Sequence, residues 1–316
     1  MSTFTDPTFT KYTNDQAQNY AKLRGTYADP LFNIIIDHHA KTGGNFQILA
    51  DVGCGPGNAT KPFAHSFDHA IGLDPAIEMI NTAQKLGGKT AIGEPITYCV
   101  SGAESIAYYI QENMPFIEEN GGVDMITAAM AAHWFNMPKF WSEATQIVKS
   151  GGSVALWTHS SLFCHPSTPN AEQVQNALFY LEREILAPYE LPENRLSRDY
   201  YDNLALPWTI TNKDVERAFP KSGFVRMIWD RDGVLTDGEN FFSGSDETTA
   251  SKLADSLQTA SMVTRWRKAH PDLVDTDQDC VALAMAELRK ALGVSEDEDP
   301  MLKVGSATVL LLFKRE

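Results

Sequence analysis

The residues with the clearest chemical potential form a glycine-rich loop after an apolar segment. Residues 46–52 run directly into Gly53, Gly55 and Gly57, which alternate with other residues ahead of an amphipathic stretch. Glycine takes backbone angles that other residues avoid, and it has no Cβ atom to keep a ligand away from the main chain. The order of strand, loop and helix therefore predicts a ligand against this loop, and the alternative is a turn that binds nothing.

Two carboxylates indicate which kind of ligand the loop holds. A dinucleotide-binding G-x-G-x-x-G pattern would need glycine at position 58, where this chain has Asn58. Asp51 precedes the loop and would repel a pyrophosphate but attract an ammonium group, which favours a ligand with a positive centre. Asp74 ends the next predicted strand, where it could accept both hydroxyls of a ribose or else cap the helix that Pro75 begins.

The elements that position these residues alternate as βαβ units do. Strands are predicted at 46–52, 69–73, 96–100, 123–128 and 153–158, with helices between them at 59–66, 75–86, 104–113 and 138–149. Such alternation implies a parallel sheet with helices on both faces. Beyond it we expect helices at 170–186, 197–204, 246–269 and 277–292, and strands at 224–230 and 307–313.

Composition and charge limit the class of protein. The chain has 316 residues, 43% of them hydrophobic, which is enough apolar side chain for a large core. A formal net charge of -15 disfavours nucleic acid and anionic membranes as partners. The start of the chain lacks a secretory signal, and no run of about 18 apolar residues suits a membrane span, so we expect a cytoplasmic protein.

On these motifs the chain resembles the class I S-adenosylmethionine-dependent methyltransferases. The similar segments are 51–57, 74–79, 102–104, 124–127 and 149–152. Within the family the chain is most similar to the fungal branch around trans-aconitate methyltransferase, through 132–135, 139–140 and the pattern Tyr20-x-x-x-Arg24-x-x-Tyr27. One departure is Ala76, where the family usually has a small hydroxyl residue.

The resemblance implies an α/β fold: a Rossmann-like, doubly wound, mostly parallel seven-stranded sheet with a helical lid inserted after the fifth strand. Residues 1–159 would form the cofactor-binding core with an N-terminal helical cap, 160–223 the lid, and 224–316 the helices and strands that complete the sheet.

The resemblance also implies S-adenosylmethionine as the cofactor and a pose for it. Asp51 and the loop would lie along the methionine part, Asp74 would hold the ribose, and Met79 would pack on the adenine. The full set of expected cofactor contacts is Tyr20, Arg24, Asp51, Gly53, Cys54, Gly55, Asp74, Pro75, Met79, Ala103, Glu104 and Met130.

The implied reaction is in-line methyl transfer to an oxygen, carboxylate or hydroxyl, of a small metabolite, helped by positioning and desolvation. A carboxylate acceptor needs no base, whereas a hydroxyl does, and His133 after the fourth strand is then the candidate base. The alternative is that His133 only packs beside Trp134 and Phe135.

Aromatic and arginine side chains are the candidates for contact with the acceptor. The expected substrate-binding residues are His133, Trp134, Trp157, Arg195, Tyr200 and Trp266, since guanidinium groups and rings suit an anionic or aromatic small molecule. Each could instead belong to the lid core or face solvent. His159 with the Cys164-His165 pair matches no metal-ligand spacing, so no metal site is expected.

Two other functions stay open from the sequence. One is a protein that binds S-adenosylmethionine without methyl transfer, as a regulatory partner or a catalyst of cofactor-assisted rearrangement. The other is an NAD-dependent oxidoreductase, which Asn58 disfavours. For the methyltransferase we expect a monomer or homodimer acting on a small molecule.

Overall fold

A single twisted sheet organises the chain. The computed structural model describes residues 8–24, 27–244, 246–295 and 297–316. Its strands run in the order β3-β2-β1-β4-β5-β8-β6, with a further short strand, β7, paired to β8. The strands are β1 Ile48–Val52, β2 His69–Asp74, β3 Thr97–Val100, β4 Val123–Ala129, β5 Val148–Cys164, β6 Phe224–Trp229, β7 Asp246–Thr249 and β8 Met301–Lys314.

Strands β1 to β5 pair in parallel, and β8 lies antiparallel between β5 and β6. This confirms the mostly parallel, Rossmann-like sheet and its seven-strand main path, to which β7 adds an eighth strand. Every residue of β1 is buried, as expected of a strand covered on both faces.

Helices cover the two faces of the sheet and build a separate layer beside it. They are α1 Asn14–Leu23, α2 Asp29–Lys41, α3 Thr60–Ala64, α4 Ile77–Leu86, α5 Ile106–Asn113, α6 Pro115–Glu119, α7 Met137–Ile147, α8 Ala171–Tyr180, α9 Pro192–Arg198, α10 Lys213–Ala218, α11 Ala250–Leu257, α12 Ser261–Ala269 and α13 Cys280–Leu292. Short 3-10 turns at Ala103–Ser105 and Ala132–Trp134 follow β3 and β4 and reach the site described below. No helix of the described ranges has the length and apolar character that a membrane span requires.

The second half of the chain departs from several predicted boundaries. β5 continues past Thr158 to Cys164, because residues 162–164 still pair with β8. The helix expected at 197–204 is wrong: α9 ends at Arg198, and Tyr200 and Tyr201 take positive φ angles of 58°. The long helix expected at 246–269 is divided into β7, α11 and α12.

The segment 160–223 does not pack as one unit. Its first half, α8 and the π-helical turn Leu181–Ile185, shares a hydrophobic cluster with α11, α12 and α13. Its second half, including Tyr201 and Phe219, packs into the cluster that lies against the main sheet. The layer beside the sheet is therefore built jointly from the predicted lid and the C-terminal helices.

Candidate active site

The glycine-rich loop connects β1 to α3 at the carboxyl edge of the sheet. Gly53, Gly55 and Gly57 have φ angles of 68°, 53° and 85°, in the left-handed region that favours glycine. The amides of Gly53 and Cys54 donate to the Leu73 carbonyl oxygen at 2.7 and 3.1 Å, which fixes the loop against β2. A Cβ on Gly55 would meet no protein atom within 4 Å, so this glycine faces open space.

Asp74 lies at the end of β2, beside that loop. Its Oδ2 accepts a hydrogen bond from the Gly55 amide at 2.9 Å, and its Oδ1 accepts one from the Ala76 amide at 2.8 Å. Asp74 therefore fixes the turn that leads into α4, whose N-cap is Ala76, and also borders the cavity in front of the loop. The start of α4 has no side-chain cap, so the cap role is not observed for Asp74, and the ribose contact stays a prediction.

Asp51 does not lie where the sequence analysis expected it. The side chain is fully buried beneath the loop, its two oxygens accepting hydrogen bonds from the Thr60 and Thr127 hydroxyls at 2.6 and 2.7 Å, and it does not border the cavity. Burial raises the pKa of Asp51 to about 6, although those two hydroxyls oppose the rise. Asp51 thus supports the loop from below by joining β1, α3 and β4.

A cavity that is partly open to solvent lies in front of the loop. The other eleven expected cofactor contacts border it, namely Tyr20, Arg24, Gly53, Cys54, Gly55, Asp74, Pro75, Met79, Ala103, Glu104 and Met130. Glu104 is held in place because its Oε1 accepts a hydrogen bond from the Asn136 amide at 2.7 Å.

The N-terminal segment closes one side of this cavity. Phe9 borders it and contacts Tyr20 and Trp134 edge-to-face, with ring centroids 5.5 and 6.3 Å apart. Met79 packs with Tyr12 and Ala17 on the same side. Sequence reasoning missed Phe9, because an isolated aromatic near the start of a chain gives no signal of what it will cover.

A second cavity adjoins the first. The two share five bordering residues, Phe9, Tyr20, Arg24, Met130 and Trp134. Met130 has a positive φ of 53°, a strained angle for a non-glycine residue, at the junction of the two cavities. This arrangement places a separate space for a second molecule directly beside the loop cavity.

His133 borders the second cavity and is 5% exposed. Its Nδ1 lies 3.0 Å from the Tyr201 hydroxyl, whereas its Nε2 makes no hydrogen bond within the described residues. Burial, and then the positive charge of Arg24, lowers the pKa of His133 to about 3. The imidazole is therefore neutral at physiological pH.

His159, from the extended end of β5, borders the same cavity and was missed as a site residue by sequence reasoning. Its Nδ1 lies 3.0 Å from the Thr308 hydroxyl, and its ring stacks on Tyr27 with centroids 5.7 Å apart. Burial and the Arg24 charge lower its pKa to about 4, so this imidazole is neutral as well. The sequence analysis named His159 only as a possible metal ligand. In the described ranges, no three His, Cys, Asp or Glu side chains group together in a way that could hold a metal ion.

The charged groups of the second cavity are mostly paired. Arg198 forms ion pairs with Glu190 and with Glu182, the latter at 3.7 Å from its Nε. Arg24 differs: within the described residues it makes no ion pair, and its Nη1 donates only to the Thr259 hydroxyl at 3.3 Å. Arg24 is thus the cation with spare hydrogen-bonding capacity at the junction of the two cavities.

Four expected substrate contacts lie outside both cavities, while His133 and Trp134 border the second one. Trp157 is fully buried under the sheet, and Trp266 packs among the C-terminal helices. Arg195 is largely exposed and pairs with Asp199 at 3.1 Å, and Tyr200 bonds Asp232 at 3.1 Å. These four side chains lie in the hydrophobic core or at the surface, which are the alternatives that the sequence analysis named.

Comparisons with known proteins agree with this geometry. The pattern of the methyltransferase domain family matches residues 50–156, which include the loop, Asp74 and His133. A Dictyostelium discoideum protein named as a methyltransferase is 32% identical over 198 residues, covering 62% of this chain and 66% of its own length. A Saccharomyces cerevisiae protein named as an S-adenosylmethionine-dependent methyltransferase is 29% identical, covering 46% of this chain and 45% of its own length.

Residues 50–156 therefore form a methyltransferase domain that is similar to those of S-adenosylmethionine-dependent methyltransferases. The fold agrees with that of an Anaeromyxobacter dehalogenans structure described as a type II methyltransferase, with a TM-score of 0.59, 21% identity and coverage of 92% of this chain and 97% of that one. The cofactor of the family is S-adenosylmethionine. The open space at Gly55 and the Asp74 carboxylate that borders the same cavity fit such a ligand.

Proposed function

We propose that this methyltransferase moves a methyl group from S-adenosylmethionine to an oxygen atom, carboxylate or hydroxyl, of a small metabolite. The observation that carries the proposal is the pair of adjoining cavities, one against the glycine-rich loop and one lined by neutral histidines and paired charges. When bound, the cofactor supplies an electrophilic methyl group on a positively charged sulfur.

The first cavity offers complementary contacts along its length. Asp74 would accept the ribose hydroxyls, Met79 would pack on the adenine, and Gly55 would let the ligand approach the main chain. Arg24 would hold a carboxylate at the junction, because a guanidinium binds carboxylate in a two-pronged fashion.

The second cavity suits the acceptor. Its histidines are neutral, so they do not repel a sulfonium at the junction as imidazolium groups would. Its walls come from the N-terminal segment, α9 and the start of α12, which would exclude water and orient the acceptor oxygen toward the methyl group. We therefore assign the substrate-facing role to residues from both the 160–223 and the 224–316 segments rather than to a separate lid.

The experiment combines purified protein, S-adenosylmethionine with a deuterated methyl group, and a small-molecule extract. Mass spectrometry should find a metabolite that carries the labelled methyl group, together with S-adenosylhomocysteine. Formation of neither product, while calorimetry shows cofactor binding, would instead identify a protein that binds the cofactor without methyl transfer. We also propose a cytoplasmic location and a monomeric or homodimeric state, which fractionation and light scattering would test.

A further inference from the structure

The hydrogen bond between Tyr201 and His133 lies behind the acceptor cavity, and the mechanism above does not use it. Tyr201 is fully buried, and its hydroxyl is 3.0 Å from Nδ1 of His133. Its backbone is fixed, because the Tyr201 amide donates to the Leu196 carbonyl oxygen at 2.9 Å and Arg226 donates to the Tyr200 and Tyr201 carbonyl oxygens. The phenol is therefore held in one place relative to the imidazole.

The surroundings of the phenol oxygen decide where its proton points. Within the described residues, the hydrogen bond of this hydroxyl is the one to Nδ1 of His133 at 3.0 Å. Burial raises the pKa of Tyr201, so the phenol keeps its proton. A protonated phenol donates to an acceptor, and the unprotonated Nδ1 of a neutral imidazole is the acceptor that this geometry provides.

We propose that Tyr201 is a positioning residue that donates its proton to Nδ1 of His133 and thereby fixes the imidazole in the tautomer that carries hydrogen on Nε2. His133 then presents an N–H donor to the acceptor cavity and does not act as a base. The tautomer rests on local geometry alone, whereas its use toward an acceptor rests on the proposed function.

The consequence concerns the chemical class of the acceptor. An N–H donor holds an oxygen that already has a free lone pair, such as an oxyanion or a carbonyl oxygen, but it cannot remove a proton from a hydroxyl group. The charged groups that border this part of the cavity do not replace the base. Arg24 is cationic, and Glu182 and Glu190 are paired with Arg198, whereas His159 bonds the Thr308 hydroxyl through Nδ1. The structure therefore favours an acceptor that enters with its oxygen deprotonated.

Nitrogen-15 NMR of histidine-labelled protein tests the tautomer directly. The spectrum is recorded with and without S-adenosylhomocysteine, and the His133 signals are assigned by their loss in His133→Gln. We expect a protonated Nε2 and an unprotonated Nδ1 in the wild-type protein, and loss of that single tautomer in Tyr201→Phe. Tyr200→Phe is the matched control, because the Tyr200 hydroxyl bonds Asp232 instead, and it should leave the His133 signals unchanged.

A proton on Nδ1 in the wild-type spectrum, or an unchanged tautomer in Tyr201→Phe, would overturn the proposal. If Tyr201→Phe fails to fold, the wild-type spectrum still decides. Calorimetry with S-adenosylhomocysteine on the same samples separates the two claims, since absent binding with the expected tautomer would defeat the proposed function and leave the local inference intact.

Activity gives a second readout once an acceptor is found. Glutamine at position 133 retains an N–H donor, so His133→Gln should keep kcat/KM within about tenfold of wild type, whereas His133→Ala should lose more. If His133 were a general base, glutamine would lose about 10²- to 10⁴-fold, as alanine would, and that result would refute the donor role.

Discussion

Replacing Asp74 by asparagine tests the cofactor cavity at its most constrained residue. Each Asp74 oxygen accepts one backbone amide, at 2.9 and 2.8 Å, and the side chain borders the cavity in which we propose that the ribose hydroxyls lie. Asparagine removes the charge and one of the two acceptor oxygens. A hydrogen bond to a charged group contributes about 1.5 to 3 kcal/mol, so we expect S-adenosylhomocysteine affinity to fall by about 2 to 3 kcal/mol, or ~30- to 150-fold.

Asp230→Asn is the matched control for this substitution. Asp230 is also buried and accepts hydrogen bonds from two backbone amides, those of Thr236 and Phe242, but it does not border the cavity. Both variants should lose thermal stability, because each leaves one amide facing an NH₂ group. Only Asp74→Asn should lose affinity in a calorimetric titration.

Unchanged affinity in folded Asp74→Asn protein would refute the contact between Asp74 and the ribose. An equal loss of affinity in Asp230→Asn would show that the effect is one of general stability and would remove Asp74 from the binding site.

Three further predictions address the loop, the histidine and the buried carboxylate. Gly55→Ala should weaken cofactor binding in calorimetry, because the new Cβ would enter the cavity. Gly43→Ala is the control, since Gly43 has a φ of 78° and equally open surroundings. It should carry a similar backbone strain of about 1 kcal/mol without loss of affinity. Because burial lowers the pKa of His133 to about 3, the pH profile of kcat/KM should show no ionisation of this residue between about pH 5 and pH 8. If the wild-type profile fell on the acid side near the ordinary pKa of histidine, and His133→Gln removed that fall, the result would contradict this prediction. Asp51 has a folded pKa raised to about 6, above its ordinary value of 3.8, so wild-type stability should fall as the pH rises through this interval. The melting temperature of Asp51→Asn relative to wild type should therefore increase from about pH 4 to pH 7 in scanning fluorimetry, and a difference independent of pH would argue against the buried, ionisable carboxyl.

The first half of the fold could be predicted because its elements carry strong local patterns. The strand expected at 69–73 is observed at His69–Asp74, and the one at 123–128 is observed at Val123–Ala129. These strands are short, apolar and bounded by turn residues, so the sequence alone limits their ends. The later boundaries depend on long-range pairing, as in β5, whose polar Ser160 and Ser161 gave no sign that the strand continues along β8 to Cys164.

The residues of the first cavity could be predicted from local patterns, whereas those of the second could not. Gly55, Asp74 and Glu104 follow strand ends, and the carboxyl ends of parallel strands meet at one edge of the sheet, so their convergence could be predicted. The acceptor cavity is built from α9, the start of α12 and the end of β5, which are distant in sequence. Their packing against one another leaves no local periodicity, which is why Arg195 and Trp266 were expected there and Glu190 and His159 were not.

The most direct test of the account is calorimetric titration of the wild-type protein with S-adenosylhomocysteine and, separately, with NAD. We predict one-to-one binding of S-adenosylhomocysteine and no heat with NAD. Binding of NAD alone, or of neither compound by correctly folded protein, would contradict the assignment of the glycine-rich loop and Asp74 to this cofactor.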